Sequence, residues 1–186
     1  MTPTPQTRVL DADEALRDWW PRFTDLWHRT WPPDPNSAFV PDFQNTLIAS
    51  VALLGEHEKV LGVCAWVERT ITVNGTPHRI AGLSGVVVEE ECRGRGYGKL
   101  LIQGAVAEVI RRGYERAVLF CGPQRQTFYE QFGWRVLKGE ITQTRFDSEC
   151  GIVGDELLMA LPLTEVAQAQ WSQWEGARIH IGVGQW

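Results

Sequence analysis

Residues 86–112 read VVVEEECRGRGYGKLLIQGAVAEVIRR, and no other stretch limits the fold as tightly. Val86, Val87 and Val88 form an apolar run suited to a buried strand. A short acidic link, Glu89–Glu91, leads to Arg93-Gly94-Arg95-Gly96-Tyr97-Gly98. An apolar pattern at helical spacing then runs to Arg111-Arg112-Gly113. Strand, glycine turn, helix is the arrangement that offers backbone N–H groups and a positive helix end to an anion. Three glycines at alternate positions allow φ > 0 and a close approach of that anion.

Two phosphate loops do not fit. A Walker A loop requires glycine at 93 and Ser or Thr at 100, where this chain has Arg93 and Leu100. A dinucleotide G-x-G-x-x-G starting at Gly94 requires glycine at 99, which is Lys99. Charge points the same way as the turn. Nine Lys/Arg and three Glu lie between Cys92 and Lys138, a net +6 inside a chain of net −5, so the remainder carries −11. The basic segment suits a ligand with several phosphates, and the acidic remainder favours a cationic acceptor such as an amine. Nucleic acid, which needs a net basic footprint, is not expected as a partner.

At 186 residues, 44% of them hydrophobic, one domain with a full core is expected. Its core covers about residues 8–162, and 163–186 form a C-terminal extension. No apolar run is long enough to span a bilayer, and the polar start lacks a signal core, so a cytoplasmic protein without membrane contact is expected. Cys64, Cys92, Cys121 and Cys150 match neither a metal pattern nor a disulfide framework. Cys64 and Cys121 sit in apolar runs and read as buried, and no metal is expected.

In chain order, residues 1–10 are Pro/Thr-rich and read as frayed. A helix capped by Asp11 or Asp13 runs through Trp19-Trp20, Pro21 interrupts it, and a second piece covers Phe23–Thr30. Trp31–Asn36 reads as a rigid proline loop. Strands follow at Ile48–Gly55 and Val60–Val73. Asn74-Gly75 is a hairpin signal, and the return strand is His78–Val88. The helix after the glycine turn buries Leu101, Ala105 and Val109, with Ile102, Val106 and Ile110 beside them, and stops at Gly113. A buried strand at Ala117–Cys121, a short helix at Gln126–Phe132 and a strand from Trp134 come next. Beyond 138 the pattern is less regular: a last strand is read at Leu157–Leu161, a short amphipathic helix over 164–175, and the tail Arg178–Trp186 alternates weakly. The class is α+β. The sheet is mixed and mostly antiparallel, flanked by helices, and a parallel pair forms across the helix after the turn.

Arg-x-x-Gly-x-Gly from Arg93 to Gly98 resembles the pyrophosphate loop of the Gcn5-related N-acetyltransferases, the GNAT superfamily. The segment Phe128-Tyr129-Glu130-Gln131-Phe132-Gly133-Trp134 resembles the family's second motif, F/L-Y-x-x-x-G-[FW]. Element order agrees over roughly residues 45–140. Within the superfamily the chain is most similar to the aminoglycoside 2′-N-acetyltransferase branch. Shared features are Gly82-Leu83-Ser84-Gly85-Val86-Val87-Val88, Asp42-Phe43 and the last residue, Trp186. That branch has Glu where this chain has Ser84, and Asp where it has Gly184. Both departures remove acidic groups that would grip an aminoglycoside.

The resemblance implies direct attack of an amine on acetyl-CoA in a ternary complex. N–H groups from Arg93 to Gly98 take the pyrophosphate. Val86, Val87 and Val88 offer backbone to the pantetheine arm, and an N–H of that strand polarises the thioester oxygen. Tyr129 protonates the departing thiolate. Ser84 relays a proton through water; Asp42, Ser84 and Trp186 are placed at the acceptor. The base is open among Glu89–Glu91, which follow the strand toward solvent, the loop acids Asp34, Asp42, Asp147 and Glu149, and the carboxylate of Trp186. A small-molecule amine is the expected acceptor. Acetylation of a protein N-terminus or lysine, and a non-catalytic acetyl-CoA sensor, are the alternatives, and a homodimer is left open.

Overall fold

The computed structural model describes residues 5–32, 43–145, 148–151, 155–183 and 186. In chain order the elements are β1 (Gln6–Asp11), α1 (Ala12–Glu14), a π-helical turn (Ala15–Trp19), α2 (Trp20–Thr30), α3 (Phe43–Thr46), β2 (Leu47–Leu54), β3 (Val60–Val73) and β4 (Thr76–Val88). After the glycine turn come α4 (Tyr97–Arg111), β5 (Arg116–Cys121), α5 (Gln126–Glu130), β6 (Arg135–Val136), β7 (Ile141–Arg145), β8 (Ser148–Gly151), β9 (Leu157–Pro162), α6 (Glu165–Ala169), α7 (Trp171–Trp174) and β10 (Ile179–Val183). The fold is α+β with parallel and antiparallel pairs, as expected. Two compact units share the long strands β3 and β4: residues 1–67 with 84–108, and residues 68–83 with 109–186.

The first unit contains an antiparallel ladder β1–β2–β3, in which Leu10 faces Ser50 and Ser50 faces Ala65. Residues 6–11 are therefore a strand, not a frayed end. Only Leu10 is buried in β1, so its alternation is too weak to read without its partner. Pro21 does not interrupt the helix either. It occupies the first turn of α2, where a missing N–H is not needed, and the π-helical turn just before it widens the backbone. Ala15, Trp19, Phe23 and Leu26 bury one face of this helical run with Leu10, Ala52, Val63, Ala65 and Val87. Burial of a side chain such as Phe23 contributes about 1.5–3 kcal/mol.

Gly104 lies inside α4, where glycine costs about 1 kcal/mol against alanine. Its use is spatial: a Cβ there would meet the Thr7 methyl at 2.9 Å and Val51 Cγ1 at 3.4 Å. Gly104→Val is expected to destabilise the protein by roughly 1–3 kcal/mol in urea unfolding, because β1 must move to admit the side chain. Leu101, Ile102, Ala105 and Val109 are fully buried, but Ile110 is half exposed, one step round the helix from the apolar stripe. Gly113 ends the helix region with φ +77°. Its N–H donates to Ile110 O at 2.9 Å, and the Tyr114 N–H reaches Val109 O at 3.3 Å, the paired bonds of a Schellman cap.

The second unit carries the strand order β6-β9-β5-β4-β3-β10-β7-β8. β4 and β5 are parallel over Ala81–Leu83 and Ala117–Leu119, across the crossover that contains α4. The β3–β4 hairpin turns at Asn74-Gly75 with φ of +48° and +82°, the expected type I′ signs. Asn74 also exchanges two hydrogen bonds with the Arg178 backbone, at 2.8 and 3.0 Å. Residues beyond 138 are more regular than their sequence pattern. β10 pairs antiparallel with β3 and parallel with β7, and β7 pairs with β8. Ile179 and Ile181 pack with Ile71, Val73, Ile80 and Trp174 in the core of this unit. Cys64 and Cys121 are buried, as expected. Among the described residues no helix is long and apolar enough to cross a membrane.

Candidate functional site

In the first unit, β4 ends in a segment that leads into the glycine turn. Gly85 interrupts the extended backbone with φ +59°. Val87 is buried, and the Glu89 N–H donates to Leu61 O of β3 at 2.9 Å. A 3-10 turn over Glu90–Cys92 then redirects the chain, with the Arg93 N–H bonded to Glu90 O at 3.2 Å. Arg93 Nε reaches back to Val88 O at 3.2 Å, which ties the turn to the strand.

Gly94 and Gly96 both adopt positive φ, +74° and +78°, and a Cβ at either would meet nothing within 4 Å. They are therefore glycine for conformation and not for lack of space. Leu100 N–H donates to Gly96 O at 3.2 Å, so Gly96 opens the first turn of α4. The N–H groups of Tyr97, Gly98 and Lys99 lie in that turn, where no intrahelical acceptor exists. Arg93, Arg95 and Lys99 are exposed around them. The arrangement supplies oriented donors, a positive helix end of a 15-residue helix and three cations.

α2 grips the same segment from one side. Trp27 Nε1 donates to Gly85 O at 2.7 Å. Arg29 binds both carboxylate oxygens of Glu89, at 3.0 and 2.8 Å, and also Asp25 at 3.0 Å.

In the second unit, Tyr129 of α5 is 8% exposed, with its ring edge-on to Phe128 and Trp134 at 5.1 and 6.2 Å. Gly133 follows with φ +86°, which is why glycine is needed after that helix. Trp186 stands over β4 and β5. Its ring meets Phe120 edge-on at 5.1 Å, and a Cβ on Gly82 would lie 2.3 Å from its indole nitrogen. The Arg69 guanidinium sits 5.8 Å from the Trp186 ring.

A family model described as an acetyltransferase (GNAT) domain matches residues 12–137, two thirds of the chain. The chain belongs to the GNAT acetyltransferase family. Solved structures agree on the fold. The GNAT family N-acetyltransferase YhbS of Escherichia coli, solved in complex with CoA, is 17% identical with a TM-score of 0.66, over 97% of this chain and 92% of that one. Escherichia coli ElaA is 13% identical with a TM-score of 0.63, over 84% of this chain and 99% of its own. An acyl-CoA N-acyltransferase from Pseudomonas aeruginosa is 10% identical with a TM-score of 0.64, over 85% and 99%.

The structure sorts the candidate residues of this GNAT chain. Arg93–Gly98 and Val86–Val88 are contiguous in one unit, with Ser84 half-buried just before Gly85. Asp34, Asp42, Asp147 and Gly184 lie outside the described residues. Glu89 does not face solvent as expected: its side chain is 16% exposed and held by Arg29. The Arg29 hydrogen bonds, with smaller help from Lys59 and Arg93, hold its carboxyl below the usual carboxylate range, so it is a weak base. Glu149 is held low in the same way, first by a hydrogen bond from Thr142 and then by Arg178. The basic segment also divides. Arg116 is buried against Gln170 and Trp174, and Arg135 packs on Trp171, whereas Arg93, Arg95 and Lys99 are exposed at the turn.

Because Glu89 is depressed, its ion pair stabilises the fold above the unfolded carboxylate pKa of about 4.3 and is lost as pH falls through the folded value. Glu89→Gln is therefore expected to cost roughly 0.5–1 kcal/mol at pH 7 and progressively less as the pH is lowered, read from urea unfolding across that range. The Trp27 and Arg29 grips were not legible in sequence, since both partners lie about sixty residues away.

Proposed function

We propose that this chain transfers an acetyl group from acetyl-CoA to a primary amine of a small molecule. The observation that carries the reading is the open turn at Gly94 and Gly96, both at positive φ, leading into the unpaired first turn of α4. Main-chain N–H groups between Arg93 and Gly98 take the diphosphate, and Arg93, Arg95 and Lys99 screen its charge. Val86, Val87 and Val88 run beside the pantetheine arm as a strand edge. The structural relative solved with CoA supports this choice of ligand.

In the transfer, the amine lone pair forms a bond to the thioester carbon while the carbonyl π pair moves to oxygen. The tetrahedral adduct re-forms the carbonyl as the C–S bond breaks and its electron pair leaves on sulfur. Tyr129 gives that thiolate a proton. The attacking nitrogen must also lose one. An alkyl amine near pKa ~10 arrives mostly protonated, so a water chain through Ser84 carries that proton, and the one released from the adduct nitrogen, to bulk solvent, which also returns a proton to the Tyr129 phenolate. Asp42 and Trp186 are assigned to the acceptor side. Ser84 and Gly184, in place of the acids of the aminoglycoside 2′-N-acetyltransferase branch, make a smaller or less cationic amine the better fit.

Ser84 is no base by itself, and this favours a second reading, an acetyl-CoA sensor without turnover. Calorimetry with coenzyme A tests the shared step: heat of binding and a raised melting temperature are expected, and neither at millimolar ligand refutes the proposal. Thiol release from acetyl-CoA with polyamine and aminoglycoside panels separates enzyme from sensor. Release stimulated by a polyamine supports the enzyme; binding without release across both panels supports the sensor.

A further inference from the structure

The two grips of α2 bracket the strand segment that the proposed function places along the pantetheine arm. Trp27 Nε1 holds the Gly85 carbonyl at 2.7 Å at one end, and Arg29 holds Glu89 at the other. Every peptide bond among the described residues is trans, so C=O and N–H of one peptide unit point to opposite sides. The carbonyl that Trp27 holds is in the same peptide unit as the Val86 N–H. That N–H is therefore aimed away from the indole.

Strand alternation agrees. The Glu89 N–H faces Leu61 of β3, so Val87 faces β3 as well, and Val86 and Val88 present their backbone to the opposite edge. On that edge the Val88 carbonyl is met by Arg93 Nε at 3.2 Å. The parallel ladder to β5 has already ended at Leu83. Residue 85 has room for nothing larger than glycine: a Cβ would lie 2.7 Å from the indole nitrogen, and φ is +59°. Donor and glycine fit together, and their joint effect is the direction of one N–H.

We propose that Trp27 is a positioning residue: its indole N–H fixes the Gly85–Val86 peptide so that the Val86 N–H donates to the acetyl carbonyl oxygen of the bound thioester. This rests on the acetyl-CoA reading above. It names one donor in the strand and the side chain that aims it. The N–H strengthens its bond as negative charge grows on that oxygen, without reorganising during the reaction.

The test uses the full chain and the acetyl-CoA analogue in which a methylene replaces the thioester sulfur, labelled with carbon-13 at the carbonyl. On binding to the natural protein, the carbonyl resonance is expected to move downfield by several ppm. Trp27→Phe keeps an aromatic ring against Phe23 and Trp20 but removes the donor. It is expected to reduce that move to about half or less, while affinity for coenzyme A stays within about threefold. Benzothienylalanine at position 27 has the ring shape of indole without N–H; it is expected to behave the same way and covers the case in which the phenylalanine variant folds poorly. An undiminished downfield move in the benzothienyl protein overturns the positioning role. Coenzyme A binding with no downfield move in the natural protein also overturns it and leaves the acetyl-CoA reading standing. Failure of the natural protein to bind coenzyme A removes both.

Discussion

Gly94→Val with Gly96→Val is expected to weaken coenzyme A binding by about 100-fold or more, measured by calorimetry, because two charge-assisted main-chain hydrogen bonds are lost at about 1.5–3 kcal/mol each. Both positions have positive φ, near +74° and +78°, and a β-branched residue cannot stay there without strain. The turn must then rotate its peptide planes, and its N–H groups cease to converge. Neither site is crowded: a Cβ there meets nothing within 4 Å. The cost to folding is limited to the local backbone, about 1–2 kcal/mol per residue. The melting temperature is expected to fall modestly while affinity collapses. The opposite pattern, a large thermal loss with affinity kept, would mean that the glycines serve the fold and not a ligand.

Tyr129→Phe is expected to slow acetyl transfer by about 100-fold at neutral pH, measured in a single turnover so that product release does not intervene. The side chain is 8% exposed and its ring is packed edge-on against Phe128 and Trp134, contacts that phenylalanine keeps. What the proposed mechanism loses is the proton for the departing sulfur. Thermal stability and coenzyme A affinity are expected to remain close to those of the natural chain. A single-turnover rate equal to the natural one would assign Tyr129 to packing alone.

How far the sequence was legible depended on the range of the interaction. The hairpin at Asn74-Gly75, the cap at Gly113 and the turn from Arg93 to Gly98 are local devices, and their residues are adjacent in the chain. They sit where the pattern placed them. β1 was missed because a strand with one buried residue acquires meaning only from β2, some forty residues on. β10 shows in sequence only as a weak alternation because it is short, and its neighbours β3 and β7 are assembled by the rest of the fold. Pro21 was misread because helix position, not presence, decides what proline does, and the π-helical turn before it has no sequence signal. At the site, the backbone donors were visible through their glycines. The side chains that hold the strand before the turn, Trp27 on the Gly85 carbonyl and Arg29 on Glu89, look in sequence like ordinary members of an amphipathic helix.

The central claim is that main-chain N–H groups from residue 93 into the first turn of α4 hold a diphosphate. Backbone amide spectra of nitrogen-15-labelled protein, recorded while coenzyme A is added, test it at those atoms. The account predicts that the amide signals of Gly94, Gly96, Tyr97, Gly98 and Lys99 move farthest, downfield, and together with a single affinity. Saturating coenzyme A that leaves these signals in place, or moves only distant ones, would contradict it.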